Sequence, residues 1–173
     1  MESMRVFILA TQTADGYIAR DADHRSTAWT TRQDKILFTR LTKQAGVVVV
    51  GWNTFATFDK ALKDRRVIVY TRQAREPVEG VEFTAEDPGK LLERLEAEGV
   101  KGVAICGGAH IYSLFMEAGL VSEFYFTVQP VLFGQGLKVF DIPLDSKLRL
   151  LDSAVSAEDG TVTLHYALEG DRP

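Results

Sequence analysis

Four short apolar runs separated by helical patterns, then a change to turn-linked alternating segments, predict an α/β protein. The expected architecture is a mostly parallel central sheet with helices on both faces and an antiparallel C-terminal hairpin. The runs are residues 6–11, 47–50, 67–71 and 103–106. Their side chains are apolar on both sides of the strand, as a sheet covered on both faces requires.

The first helix is announced by Thr30 and, three residues later, Gln33, a capping-box pattern that starts it just after Thr30. Ile36, Leu37, Phe38, Leu41 and Ala45 then recur at helical spacing, with Asp34 in the first turn at the edge of the apolar face. A carboxylate there complements the helix dipole, a gain of only about 0.3–1 kcal/mol, or it anchors a substrate. Asp87-Pro88 caps and opens a second helix whose stripe is Leu91, Leu92 and Leu95, stopped by Gly99. Residues 110–118 form a third, with Ile111, Leu114 and Phe115 on one face and Gly119 at its end. Past Val121 the pattern reads as a long strand over 124–132, a turn at Gly134-Gln135-Gly136, and a hairpin of 148–156 with 161–168 closed through Glu158-Asp159-Gly160. Residues 170–173 read as a loose tail. Without linker or repeat, residues 1–173 are expected to form a single domain.

At 173 residues and 46% hydrophobic content the chain suits a core that needs no staples. Cys106 stands alone, so no internal disulfide forms and cysteine-built metal sites are excluded. With no signal-like segment over 1–10 and no apolar run of membrane-spanning length, a cytoplasmic protein without membrane partners is expected. A net charge of −4 with dispersed basic residues argues against a nucleic-acid partner. His24, His110 and His165 are too scattered for a metal motif, and His165 lies in an alternating run that suits a hydrogen-bonded structural role.

Gly107-Gly108 follows a strand and opens a helix, leaving backbone N–H groups free to face a phosphate, although such a pair also serves as a plain tight turn. Gly51-Trp52-Asn53-Thr54 repeats the arrangement, with Thr54 as a helix cap or phosphate ligand. Sites at the carboxyl ends of strands are where open α/β sheets bind ligands. Glycine-rich dinucleotide, Walker and nucleophile-elbow motifs are all missing. One carboxylate, two glycine-marked turns and several aromatic residues suit a flat heterocycle beside a nucleotide cofactor.

Taken in order, Ala10-Thr11, Asp15-Gly-Tyr-Ile18-Ala19, Trp29 with Asp34 and Phe38, Gly51-Trp-Asn-Thr54, Tyr70-Thr-Arg72, Gly107-Gly-Ala-His-Ile-Tyr112 and Phe124-Tyr-Phe-Thr127 resemble the dihydrofolate reductase family. The resemblance covers roughly residues 5–168. It implies the three-layer dihydrofolate reductase-like fold and NADPH-dependent reduction of dihydrofolate to tetrahydrofolate. In that scheme Asp34 pairs with the amino-pyrimidine edge of the pterin and Thr127 supports it. Phe38 and Phe58 would wall the substrate, Arg65 would clamp its glutamate carboxylate, and Ala10, Ile18 and Tyr112 would enclose the rings. Gly107, Gly108, Ala109 and Thr54 would hold the cofactor pyrophosphate, and Arg72 and His110 its 2′-phosphate. Thr11, Gly51, Asn53, Thr71, Cys106 and Ile111 complete the implied cofactor contacts, and no metal is implied.

Asp15-Gly-Tyr-Ile-Ala, Glu117-Ala-Gly-Leu-Val and Pro130-Val-Leu-Phe-Gly-Gln-Gly look more like the reductase domain of riboflavin biosynthesis, which shares the fold. That branch implies a ribosylamino-pyrimidine phosphate as substrate, against which Phe38 argues. Departures from the dihydrofolate reductase pattern are Trp52 where a basic residue is common, Thr31-Arg32 in place of leucine-proline, and Thr27 in the polar 21–28 loop that resembles the mobile cover of the nicotinamide. A monomer is expected, with 129–133 as the candidate edge of a homodimer.

Overall fold

A computed structural model of the chain describes residues 2–170, so the tail expected beyond Gly170 lies outside the described residues. The elements in order are β1 (Arg5–Thr13), α1 (Arg32–Ala45), β2 (Gly46–Gly51), α2 (Trp52–Phe58), β3 (Arg66–Tyr70) and β4 (Val81–Thr84). They continue with α3 (Pro88–Ala97), β5 (Gly102–Ile105), α4 (Ala109–Glu117), β6 (Glu123–Gln129), β7 (Leu148–Val155) and β8 (Val162–Leu168). One eight-stranded sheet runs β4-β3-β2-β5-β1-β6-β8-β7. Pairings from β4 across to β6 are parallel, whereas β6–β8 and β8–β7 are antiparallel.

Alternate residues of each central strand enter opposite layers. Val6, Ile8, Val47, Val49, Val103 and Ile105 pack with Leu91, Leu95, Ile111 and Phe115 of α3 and α4. On the other face Phe7, Leu9 and Ala104 meet Leu37 and Leu41 of α1, while Val48, Val50, Val67 and Val69 meet Phe55 of α2. Burial on both faces is the physical origin of the unbroken apolar runs.

Several boundaries differ from expectation. The N-cap of α1 is Thr31, whose hydroxyl accepts from the Asp34 N–H at 3.3 Å, so the helix begins one residue later than the Thr30–Gln33 spacing implied. Thr54 lies inside α2 and Gly51 takes its N-cap position. The strand expected over 124–132 stops at Gln129, because Pro130 has no N–H to donate to a ladder. The four-residue edge strand β4 and seven-residue α2 are too short to show a period of their own.

Two features shape the mouth of the later site. Asp15 accepts from the Thr13 hydroxyl at 2.6 Å and from the Phe133 and Gly134 N–H groups, tying the loop after β6 to the end of β1. Gly136 crosses so close to Ala19 that a Cβ would sit 2.3 Å from the Ala19 carbonyl oxygen, so only glycine fits. On the opposite flank Arg66 and Arg94 pair with Glu82 and Glu98, and Arg94 also with Glu86, linking β3, β4 and α3.

Leu95 is fully buried between α3 and the sheet. Leu95→Ala is expected to destabilise the fold by about 2–5 kcal/mol, read as a lower urea midpoint at an unchanged slope.

Candidate active site

The connections leaving β1 and β2 pass to the face covered by α1 and α2, whereas the one leaving β5, which lies between them, passes to the face covered by α4. Adjacent strands whose connections part to opposite faces open a crevice at their carboxyl ends. Here it is a cleft of about 630 Å³. Thr11, Asp34, Phe38, Thr54, Gly107 and Tyr112 are among the residues that line it.

Asp34 is the buried acid of the cleft, 8% exposed. Its Oδ1 accepts from the hydroxyls of Thr11 and Thr127, each at 2.5 Å. These two threonines are register partners in the parallel β1–β6 ladder, and their hydroxyls lie 2.8 Å apart. Oδ2 makes no hydrogen bond among the described residues. Burial pushes the Asp34 carboxyl above the ordinary carboxylate range, and the Thr11 and Thr127 hydroxyls pull partly against it.

The helix bearing Asp34 is held from outside. The Thr31 N–H donates to Gln129 Oε1 at 2.9 Å, the Thr31 and Thr161 hydroxyls lie 2.5 Å apart, and the Gln33 N–H donates to Asp159 at 3.2 Å. The end of β6 and the β7–β8 turn therefore set the position of the carboxylate. Gln129, Asp159 and Thr161 carry no local signal of this role, since their partners are about a hundred residues away in sequence. Lys35 and Lys138, which also line the cleft, were not singled out from the sequence either.

Along one wall Phe38 extends the Leu37–Leu41 cluster, and Phe58 stands edge-on to Phe55 at 5.3 Å. On the other side Gly107 and Gly108, joined by a cis peptide bond, run close to Thr54. A Cβ at either would lie 3.4 Å from the Thr54 hydroxyl. The Gly51 N–H donates to the Gly107 carbonyl at 2.8 Å, and Gly108 caps α4 with no side-chain bond. A side-chain-free turn beside a hydroxyl at the start of α4 fits a pyrophosphate. Tyr112 donates to the Leu9 carbonyl at 2.7 Å, and burial pushes its hydroxyl well up. The same cause raises the Cys106 thiol.

Ile18, Asn53, Cys106, Ala109 and His110 also line the cleft. Thr11, expected beside the cofactor, spends its hydroxyl on Asp34. Ala10 does not line the cleft: alternation along β1 turns its side chain into the α3/α4 core. Ile111 is likewise a core residue. Arg65 is not at the cleft either, since it donates to the Thr42 hydroxyl at 3.0 Å and the Lys63 carbonyl at 2.9 Å, folded back on α1. Thr71 and Arg72 sit beyond the cleft at the end of β3. His165 has the structural role expected of it, bonded to Glu123 at 2.7 Å and stacked on Tyr125. Among the described residues no helix is long and apolar enough to cross a membrane.

This sheet order, with the cleft at its carboxyl edge, defines a domain of dihydrofolate reductase-like fold. The chain belongs to the RibD C-terminal domain family, whose model matches residues 5–162. Among solved structures, it is similar to a putative riboflavin biosynthesis protein from Shewanella sp. PV-4, with a TM-score of 0.80 and 21% identity over 96% of this chain and all of that one. Acinetobacter baumannii RibD aligns with a TM-score of 0.80 at 19% identity, over 96% of this chain and 58% of its own. Dihydrofolate reductase from Enterococcus faecalis aligns with a TM-score of 0.74 at 20% identity, over 96% of this chain and 97% of its own. By sequence the chain is 34% identical to the Bacillus subtilis uncharacterized protein YwjB, over 51% of this chain and 50% of that protein. Of the two branches that the motifs resemble, the family match falls on the riboflavin-type one.

The raised Asp34 gives a stability prediction. Between the unfolded and the higher folded pKa the native state binds the extra proton, so stability falls as pH rises through that window. Asp34→Asn is therefore expected to melt no lower than wild type at neutral pH and to lose any advantage below about pH 4, as differential scanning calorimetry across pH would show.

Proposed function

We infer that this chain is an NADPH-dependent reductase of the riboflavin-biosynthesis type, acting on a ribosylamino-pyrimidine phosphate. The observation that carries the reading is Asp34, held through Oδ1 by Thr11 and Thr127 with Oδ2 left over, facing the same cleft as the Gly107–Gly108 turn. A carboxylate so placed accepts hydrogen bonds from a ring N–H and a neighbouring amino group of a pyrimidine. Its charge favours protonation of the acceptor, and its raised pKa brings proton exchange nearer to neutral pH. Gly107, Gly108, Ala109 and Thr54 would hold the cofactor pyrophosphate, and Ile18 and Tyr112 the rings. When bound, the reduced nicotinamide supplies the hydride.

Family membership and the A. baumannii RibD likeness support this reading over dihydrofolate. Arg65, bonded to Thr42 and Lys63, is not among the residues that line the cleft. Lys35 and Lys138 offer cleft cations for a substrate phosphate. One observation favours dihydrofolate: Phe38 and Phe58 both reach the cleft, as an apolar wall for its aromatic middle.

Purified protein is expected to oxidise NADPH when given the ribosylamino-pyrimidine phosphate. Turnover with dihydrofolate alone would reverse the order of the two readings, and turnover with neither would reject both. Asp34→Asn should lower kcat/KM by about a hundredfold or more. Thr127→Val removes a bond that lowers the Asp34 pKa. The limb of the pH–rate profile governed by Asp34 should then move to higher pH, and an unmoved limb would mean that Asp34 does not govern it.

A further inference from the structure

We propose that Arg75, lying over Trp52, is the residue that selects NADPH over NADH in this chain. The proposal rests on the cofactor reading above and names the group that would read the 2′-phosphate.

Trp52 opens α2 directly after Gly51. The fold places a cation on its ring. The Arg75 guanidinium carbon lies 3.6 Å from the centre of the Trp52 ring, and its Nε reaches the Thr71 hydroxyl at 3.5 Å. Thr71 also accepts from the Gln73 N–H at 3.2 Å, which turns the chain after β3 back toward α2. The indole is itself backed by Phe55 at 5.8 Å and Phe83 at 6.3 Å. Arg75 is half-buried and positioned on an aromatic platform.

It is also unspent. Arg5, Arg66 and Arg94 are each bound to glutamates, whereas no carboxylate comes within ion-pair distance of Arg75 among the described residues. A guanidinium lying over a ring uses its face and keeps in-plane N–H donors for a forked contact with phosphate.

The location suits the adenosine end of a dinucleotide. Trp52 directly follows Gly51, whose N–H is bonded to the Gly107 carbonyl, so the platform adjoins the turn assigned to the pyrophosphate. In open α/β sheets the ribose lies toward the end of a neighbouring strand, here β2, which pairs with β5 and leads into Trp52. Arg72, first expected to carry this role, is exposed and makes no hydrogen bond among the described residues, so binding would have to order it first. Arg75 starts already oriented.

Calorimetric titration of the wild type, Arg75→Ala, Arg75→Lys and Arg72→Ala with NADP⁺, NAD⁺ and 2′,5′-ADP tests this without any substrate. Wild type should prefer NADP⁺, and Arg75→Ala should weaken NADP⁺ and 2′,5′-ADP by about tenfold or more while leaving NAD⁺ within about twofold. Arg75→Lys, which keeps the charge and loses the flat fork, should fall between. Equal weakening of both dinucleotides by Arg75→Ala, an unchanged preference, or loss of the preference in Arg72→Ala alone would overturn the role of Arg75 and leave the cofactor reading standing. A wild type that binds neither dinucleotide would reject both.

Discussion

Parallel pairing of β1 with β5 on one side and β6 on the other is the constraint on which the rest of the structure depends. Parallel neighbours need crossovers, and the crossovers cover both faces of the sheet with helices. They also bring the carboxyl ends of all the central strands to one rim. Thr11 nears the end of β1, Gly51 ends β2, Tyr70 ends β3, Cys106 follows β5 and Thr127 nears the end of β6. Residues far apart in sequence meet there because the direction of pairing leaves them no other edge.

The same pairing explains the state of Asp34, the one buried acid among the described residues. Side by side in the ladder, Thr11 and Thr127 present two hydroxyls to a single oxygen of Asp34. An unpaired buried carboxylate would cost several kcal/mol. The two hydroxyls offset part of that cost and still leave the pKa raised, because desolvation is the larger influence. A helix carrying such a group needs firm support at its start. Gln129, Asp159 and Thr161 provide it from the antiparallel end of the sheet, so the hairpin that departs from the parallel pattern serves the site directly.

Legibility followed the range of the interactions. The four apolar runs, the Asp87-Pro88 start of α3 and the Glu158-Asp159-Gly160 turn rest on neighbours a few residues apart, and the structure has all of them. The cap lies at Thr31, one residue past Thr30, because either threonine can cap and Gln129 accepts from the Thr31 N–H from across the molecule. Ala10 and Arg65 enter the expected site only through their position in an ordered set of motifs. Alternation along β1 turned the first into the core, and the Thr42 hydroxyl took the second.

By itself the sequence determined the α/β class, the alternation of layers, the helix carrying Asp34 and the two glycine-marked turns, since each depends on side-chain period or backbone freedom over a few residues. Only the tertiary structure decided which oxygen of Asp34 is held and by which hydroxyls, that Arg65 is bonded to Thr42, and that Arg75 lies over Trp52. Those are contacts between segments whose separation in sequence carries no trace of their separation in space.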